Sequence, residues 1–270
     1  MNIDKRVIIA GAIMIGLLFL WIVWPKGNGQ GRSVSSGKTV QELYAEAKDL
    51  KENGKLLEAK EVYQSILNEF SDYDKIEAIQ KEAEDVNMRI IFSNLPTPES
   101  VTHEVQSGDT LGSLAQKYHT TVEFIKKSNY LASDNIRAGQ KLRVWTGSFN
   151  IFVDKSQNIL ILKDGDEVVK VYKVATGENN NTPIGNFKII TKLIDPVWFN
   201  KGIVVPPESP KNVLGSRWLG FDLAGYGIHG TTEPETIGQQ ATAGCVRMLN
   251  SEVEELYTLT PLGTPVVIVD

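Results

Sequence analysis

The 270 residues contain one cysteine, Cys245, and only three histidines. A lone thiol closes no intrachain disulfide, so the fold has no covalent staple of its own. There is no cysteine pair and no H-E-x-x-H, which removes the usual zinc arrangements; neither a metal nor another cofactor is expected. Positive charge is not in excess: 28 Lys and Arg stand against 33 Asp and Glu, a formal net charge of −5. Residues 38 to 92 hold 8 of the basic and 13 of the acidic residues, which accounts for the whole imbalance. With no basic stripe to neutralise phosphates, nucleic acid is excluded as a partner.

One long apolar run is present. Val7 to Trp24 are 18 uncharged positions, about 27 Å as a helix and close to the hydrocarbon thickness of a bilayer. Trp21 and Trp24 sit where an interfacial aromatic belt belongs, and Lys5-Arg6 precede the run, which keeps the N-terminus inside. Residues 1–25 therefore read as a single-pass signal anchor in the cell membrane, with the remainder on the extracytoplasmic, cell-wall side. The competing reading is a cleaved signal peptide. Its apolar region spans roughly 7–15 residues before a small-x-small site, whereas WPKGNGQGR follows this longer run. Outside the membrane Cys245 is a free thiol, an intermolecular link or a nucleophile.

Residues 26–38 are a Gly/Ser-rich linker. Ser35-Ser-Gly-Lys38 and the glycine-rich stretch Gly31 to Thr39 are near misses to nucleophile and phosphate motifs, without folded context or partner motifs. Residues 39–95 read as an α-helical hairpin segment. Leu43, Ala47 and Leu50, then Leu56, Ala59, Tyr63 and Ile66, recur at helical spacing around a break at Asn53-Gly54, and a third run carries Ile76 to Ile90. The first two runs resemble one tetratricopeptide repeat. A single repeat buries its face poorly, so the segment reads as a spacer or docking hairpin, with a groove for an unidentified protein partner as the sharper alternative. Pro96-Thr97-Pro98 closes it as a stiff joint.

Residues 102–146 have a βααβ order. A strand is expected at Glu104 to Gln106, a helix from Leu111 capped by Asp109 or Thr110, a second helix with Val122, Phe124 and Ile125, and a strand from Lys141 to Trp145. With GDTL, Asn129 and Ile136 followed by Gly139-Gln140-x-Leu142, this segment resembles a LysM domain. The resemblance implies binding to N-acetylglucosamine glycans such as peptidoglycan, in a groove formed by Gly108, Asp109, Thr110 and Leu111 on one side and Ile136 and Gly139 on the other. Gly108 and Gly139 equally suit plain backbone turns. His103 and His119 read as solvated bystanders.

Residues 149–270 read as mainly β, with strands near 149–153, 159–162, 168–174, 187–191 and 265–269. One helix is expected over 251–258, where Ser251 and Glu254 suit a capping box. Two segments carry the chemistry, YGIHGTT around His229 and TAGCVRM around Cys245. They are 16 residues apart, so the fold must bring them together. A lone cysteine is more often a small buried hydrophobe than a nucleophile, and spacing alone does not decide between them. The motifs Thr182-Pro-Ile-Gly-Asn-Phe187, Asn212-x-Leu214-Gly215-x-Arg217-Trp218, Ile228-His229-Gly230-Thr231 and Thr242-x-Gly244-Cys245-Val246-Arg247-Met248 together resemble the L,D-transpeptidase catalytic domain.

That resemblance implies a sandwich-like domain in which Cys245 attacks the diamino acid–D-Ala bond of a peptidoglycan tetrapeptide stem. An acceptor amine then takes the acyl group, giving a 3→3 cross-link. His229 would be base and later acid, with the Gly230 carbonyl orienting it and the Gly244 and Cys245 amides stabilising the oxyanion. Thr242 and Arg247 are candidates for substrate contact, Arg247 equally for a fold-supporting ion pair. The family usually carries histidine where this chain has Ala243. L,D-carboxypeptidase activity and a catalytically degenerate wall-binding scaffold are the alternatives. A single imidazole is expected to activate the thiol, making it reactive below the ordinary thiol range.

Overall fold

The structure is a computed structural model and describes residues 37–200 and 202–270. The expected membrane anchor at residues 1–25, and most of the 26–38 linker, lie outside the described residues. Among the described residues, no helix is long and apolar enough to cross a membrane.

The acidic N-terminal segment forms α1 (Val40–Glu52), α2 (Leu56–Glu69) and α3 (Ile76–Ile91). Thr39 and Glu42 build a reciprocal capping box at the start of α1, which satisfies helix amides that have no intrahelical partner. Gly54, at φ +73°, makes the turn into α2. Leu43, Ala47, Ala59, Tyr63, Ile66, Ile79 and Val86 close one apolar cluster, so α3 supplies the surface that a lone repeat lacks. The segment is thus a three-helix unit rather than a hairpin.

The βααβ segment is β1 (Ser100–Glu104), α4 (Leu111–Lys117), α5 (Val122–Ser128) and β2 (Lys141–Trp145). The first strand lies earlier than expected because it pairs antiparallel from Ser100↔Trp145 to Glu104↔Lys141. Thr110 caps α4 through the Ser113 amide. His103 is not a bystander. It is buried, with Nε2 2.8 Å from Asp109 Oδ2 and Nδ1 3.0 Å from the Tyr118 hydroxyl. His119 is exposed, at φ +51°.

The remaining elements are β3 (Phe149–Asp154), β4 (Ile159–Asp164), β5 (Glu167–Lys173), β6 (Thr176–Gly177), β7 (Gly185–Ile194), β8 (Trp198–Asn200), β9 (Ile203–Val205), β10 (Arg217–Phe221), β11 (Gly227–His229), β12 (Gln240–Thr242), β13 (Val246–Arg247), α6 (Asn250–Leu259) and β14 (Pro265–Val269). Eight of the strands form one sheet in the order β13-β11-β10-β7-β14-β3-β4-β5. Residues 185–188 of β7 pair with β14 and residues 189–194 with β10. One long strand thus passes from one half of the sheet to the other, as in corner-turning sandwiches. Helix α6 packs Val253, Leu256 and Leu259 into the core with Leu219, Ile228, Val246 and Met248. The expected capping box is not formed: the helix starts at Asn250 after an N-cap Leu249 that makes no side-chain bond.

The three units share surfaces. Phe124 and Trp145 belong to the same core cluster as Phe149, Ile151 and Leu256, and the Thr121 hydroxyl donates to the Thr258 carbonyl. Arg143 Nη1 donates to the carbonyls of Ile91 at 2.9 Å and Ser93 at 2.7 Å, fastening β2 to the end of α3. Strand β5 is an edge of the large sheet, and α3 covers it. Asn87 Nδ2 donates to the Val169 carbonyl at 3.2 Å, and the Val171 amide donates to Glu84 Oε1 at 3.2 Å. At the hairpin end Lys60 pairs with Glu167 at 2.7 Å. The helical segment docks within its own chain and closes an edge that would otherwise invite strand pairing.

Asn87→Ala should leave a buried strand carbonyl without its donor, at a cost of about 1–3 kcal/mol. Urea unfolding of the variant measures this, and an unchanged midpoint would mean that α3 rests on β5 without holding it.

Candidate active site

Strand β11 is central to the site. It pairs antiparallel with β10, Trp218 opposite His229, and parallel with β13, Ile228 opposite Val246 and His229 opposite Arg247. Residues 230 to 245 therefore form a crossover that returns beside its own start. Cys245 immediately precedes β13 and lies diagonally from His229, about 8 Å between Cα atoms from strand spacing and rise. The two sequence motifs thus lie on adjoining strands.

His229 is 3% exposed. Its ring stacks on Trp218, with centroids 6.0 Å apart and planes 19° from parallel. Nδ1 lies 2.7 Å from the Gly230 carbonyl oxygen. A carbonyl only accepts, so Nδ1 carries the proton and Nε2 is left as the basic nitrogen. Burial pushes the imidazole down to about 4, assisted by the Arg247 charge and opposed by the Gly230 hydrogen bond.

Cys245 is partly exposed, with Sγ 3.6 Å from the Gly225 carbonyl oxygen. Burial pushes its thiol up, against the lowering effects of the Gly227 amide and Arg247. Both shifts disfavour the charged forms. At neutral pH both directions favour a neutral thiol and a neutral imidazole at rest. Desolvation opposes both ions of such a pair, against the expectation of a thiol made acidic by His229.

The neighbouring residues brace the turn. Gly244 has φ +140°, and a Cβ there would stand 2.8 Å from the Tyr226 ring and 3.2 Å from the Asn181 carbonyl oxygen, so conformation and space both select glycine. Its amide donates to Thr242 Oγ1 at 3.1 Å, while that hydroxyl donates to the Cys245 carbonyl at 2.7 Å. In this geometry the Gly244 amide is committed, and Thr242 is buried with its hydroxyl engaged in the turn. Ala243 is exposed, so alanine there removes nothing from the packed interior. Arg247 is 5% exposed and donates from Nη1 to Glu233 at 2.7 Å and Thr236 at 2.9 Å. Of the two roles weighed for it, the ion pair is present, and it clamps the crossover loop.

In the βααβ segment, Gly108 and Gly139 have φ +92° and +83°. The Gly139 amide donates to the Val105 carbonyl at 2.8 Å, which sets the Ile136 turn beside the end of β1. Asp109 accepts from the Gln106 amide, then from His103, and is held below the usual carboxylate range. Thr110 is the cap of α4, and Leu111, 2% exposed, is core. Ile136 is partly buried against the same core. The two turns thus adjoin as expected, but Leu111 does not face solvent.

Sequence reasoning missed Trp218, Tyr226, Glu233, Thr236 and Asn250. Trp218 stood within a motif without a role. The others carried no periodic or spacing signal, since each acts by reaching across the crossover.

Residues 148–268 match the family described as the L,D-transpeptidase catalytic domain, and residues 103–145 match the LysM domain. The Bacillus subtilis protein YqjB, named "Putative L,D-transpeptidase", is 41% identical over 126 residues, covering 44% of this chain and 70% of that protein. YkuD of the same organism, named likewise, is 31% identical over 175 residues, covering 62% of this chain and 98% of that protein. The solved L,D-transpeptidase from Mycobacterium smegmatis aligns with a TM-score of 0.40 at 17% identity, covering 49% of this chain and 64% of that one, less than two thirds of its length.

His229 titrates near 6.5 when unfolded and near 4 in place. Over that window the unfolded chain binds more protons, so the His229 contribution is fully present above about pH 6.5 and is lost as pH falls towards 4. The shift corresponds to about 3 kcal/mol. His229→Gln should flatten this part of the stability–pH curve, measured by denaturant titration. Parallel curves for the two proteins would contradict the burial of a neutral imidazole.

Proposed function

This chain belongs to the L,D-transpeptidase family, and from that premise we propose that Cys245 and His229 carry out acyl transfer between peptidoglycan stem peptides. The catalytic domain is joined to a LysM domain. The observation that carries the residue assignment is the 2.7 Å contact from His229 Nδ1 to the Gly230 carbonyl, which leaves Nε2 basic on the strand adjoining Cys245.

In the acylation step Cys245 Sγ bonds to the carbonyl carbon of the third stem residue while its proton passes to His229 Nε2. The proton then goes to the departing D-Ala amine as the C–N bond breaks, leaving a thioester. In the second step an acceptor amine attacks the thioester, His229 takes its surplus proton, and the thiolate leaves and is reprotonated. Because the resting pair is neutral, proton transfer accompanies attack rather than preceding it. The Cys245 amide is the oxyanion donor in this account. The Gly244 amide already serves Thr242.

LysM binds glycan and holds the enzyme on its substrate, with the Gly108 and Gly139 turns as the contact region. The apolar run from residue 7 to residue 24 anchors the chain in the membrane with the folded units on the wall side. The support for this topology is the Lys5-Arg6 flank and the wall chemistry of both domains. Water in place of the acceptor amine would make the same thioester a carboxypeptidase intermediate.

Mass spectrometry of the full chain mixed with disaccharide-tetrapeptide tests the reading. Loss of D-Ala with a 3→3 linked dimer is the expected result, and Cys245→Ala should lower both products by several orders of magnitude. Tripeptide without dimer would assign carboxypeptidase activity. Unchanged tetrapeptide would mean a binding scaffold. Pelleting of the same protein with insoluble peptidoglycan reads the LysM half, and failure to pellet would remove it.

A further inference from the structure

The Gly230 carbonyl that holds His229 and the Thr231 N–H belong to one peptide group. That N–H donates to the side-chain oxygen of Asn250 at 2.9 Å. Asn250 is the first residue of α6, and its amide makes two more bonds. Oδ1 also accepts from the Ser216 amide at 3.1 Å, and Nδ2 donates to the Thr231 carbonyl at 2.9 Å. Thr231 is thus gripped at both of its backbone groups, and the segment entering β10 is tied to the same side chain.

The surroundings are shaped around this amide. A Cβ on Gly215 would stand 2.2 Å from Asn250 Oδ1, and one on Gly230 would stand 2.1 Å from it. Gly215 also has φ +62°, a conformation that glycine adopts freely. The glycine before Thr231 has a matching cost. Without a side chain, the Gly230–Thr231 peptide would turn easily unless something held it.

We propose that Asn250 is a positioning residue for the reaction, acting on His229 through the Gly230–Thr231 peptide group. This rests on the assignment of His229 as the base. In a trans peptide the N–H and C=O point in opposite directions and rotate together. Fixing the N–H on Asn250 therefore aims the carbonyl at His229 Nδ1. Accepting from the N–H also polarises the carbonyl and strengthens its hold on the Nδ1 proton. The chain runs from His229 Nδ1–H to the Gly230 carbonyl, across the peptide bond to the Thr231 N–H, and on to Asn250 Oδ1. Its product is one tautomer, with Nε2 kept free of a proton. Asn250 touches none of the reacting atoms.

Nitrogen-15 NMR of the His229 ring in the full chain reads the tautomer, alongside kcat and KM for the tetrapeptide. Asn250→Ala should lower kcat by about tenfold to hundredfold, the scale of a misplaced catalytic group, with KM nearly unchanged. It should also replace the single Nδ1–H tautomer by a mixture. Asn250→Asp keeps the oxygen that accepts from Ser216 and Thr231 but sets a second oxygen against the Thr231 carbonyl, so it should retain the tautomer and a higher kcat than the alanine variant. If the alanine variant does not fold, Asn250→Ser, too short to span both amides, takes its place with the same expected result. A folded alanine or serine variant with an unchanged tautomer and wild-type kcat overturns the proposal. If the wild-type protein turns over no tetrapeptide, the functional reading fails instead, and the tautomer measurement alone still decides the role of Asn250.

Discussion

The parallel pairing of β11 with β13 is the constraint on which the site depends. Two residue pairs, Ile228 with Val246 and His229 with Arg247, set an imidazole and a thiol from separate motifs on adjoining strands. Parallel neighbours require a crossover connection, and here that crossover is held without a long helix. Arg247 clamps it to Glu233 and Thr236, Thr242 closes the turn before the thiol, and Tyr226 with Asn181 leaves room only for glycine at 244. Most of the sequence motif around Cys245 is therefore turn and ladder engineering. The Cys245 side chain, partly exposed, is not spent on the fold.

The same pairing buries His229. His229 sits against Trp218 with its imidazole held near 4, and the thiol beside it is raised by the same desolvation. A pre-formed thiolate–imidazolium pair would have to keep two ions in that environment, where burial disfavours each. A neutral pair meets no such penalty at rest. In the proposed reaction charge develops only as the S–C bond forms, when the substrate supplies an oxyanion and the Cys245 amide meets it. A resting thiol kept protonated is also protected from adventitious oxidation and alkylation.

Much of this was legible in the sequence, for identifiable reasons. The β runs in 149–270 follow period two, and all five expected strands are present within a few residues of their expected bounds. The Gly54 turn, the Thr110 cap and the convergence of His229 with Cys245 were legible as turn chemistry and motif. What failed depended on tertiary context. His103 looked like a surface residue until Asp109 and Tyr118 were seen around it. Ser251 and Glu254 fit a cap pattern, yet the helix begins one residue earlier because Asn250 is committed across the crossover. The helical segment gave no hint that its third helix would seal the β5 edge, since Asn87 and Glu84 read as ordinary polar positions. Desolvation of the thiol was not legible, because spacing reveals a neighbouring motif but not how dry the site is.

The central claim is that His229 serves Cys245 as a neutral base, and the pH dependence of Cys245 alkylation in the full chain tests it most directly. The account predicts a single rise in rate at or above the ordinary thiol range, with little reactivity at mildly acidic pH. A reactive plateau extending well below that range, and lost in a folded His229→Gln variant, would reveal a pre-formed ion pair and contradict it.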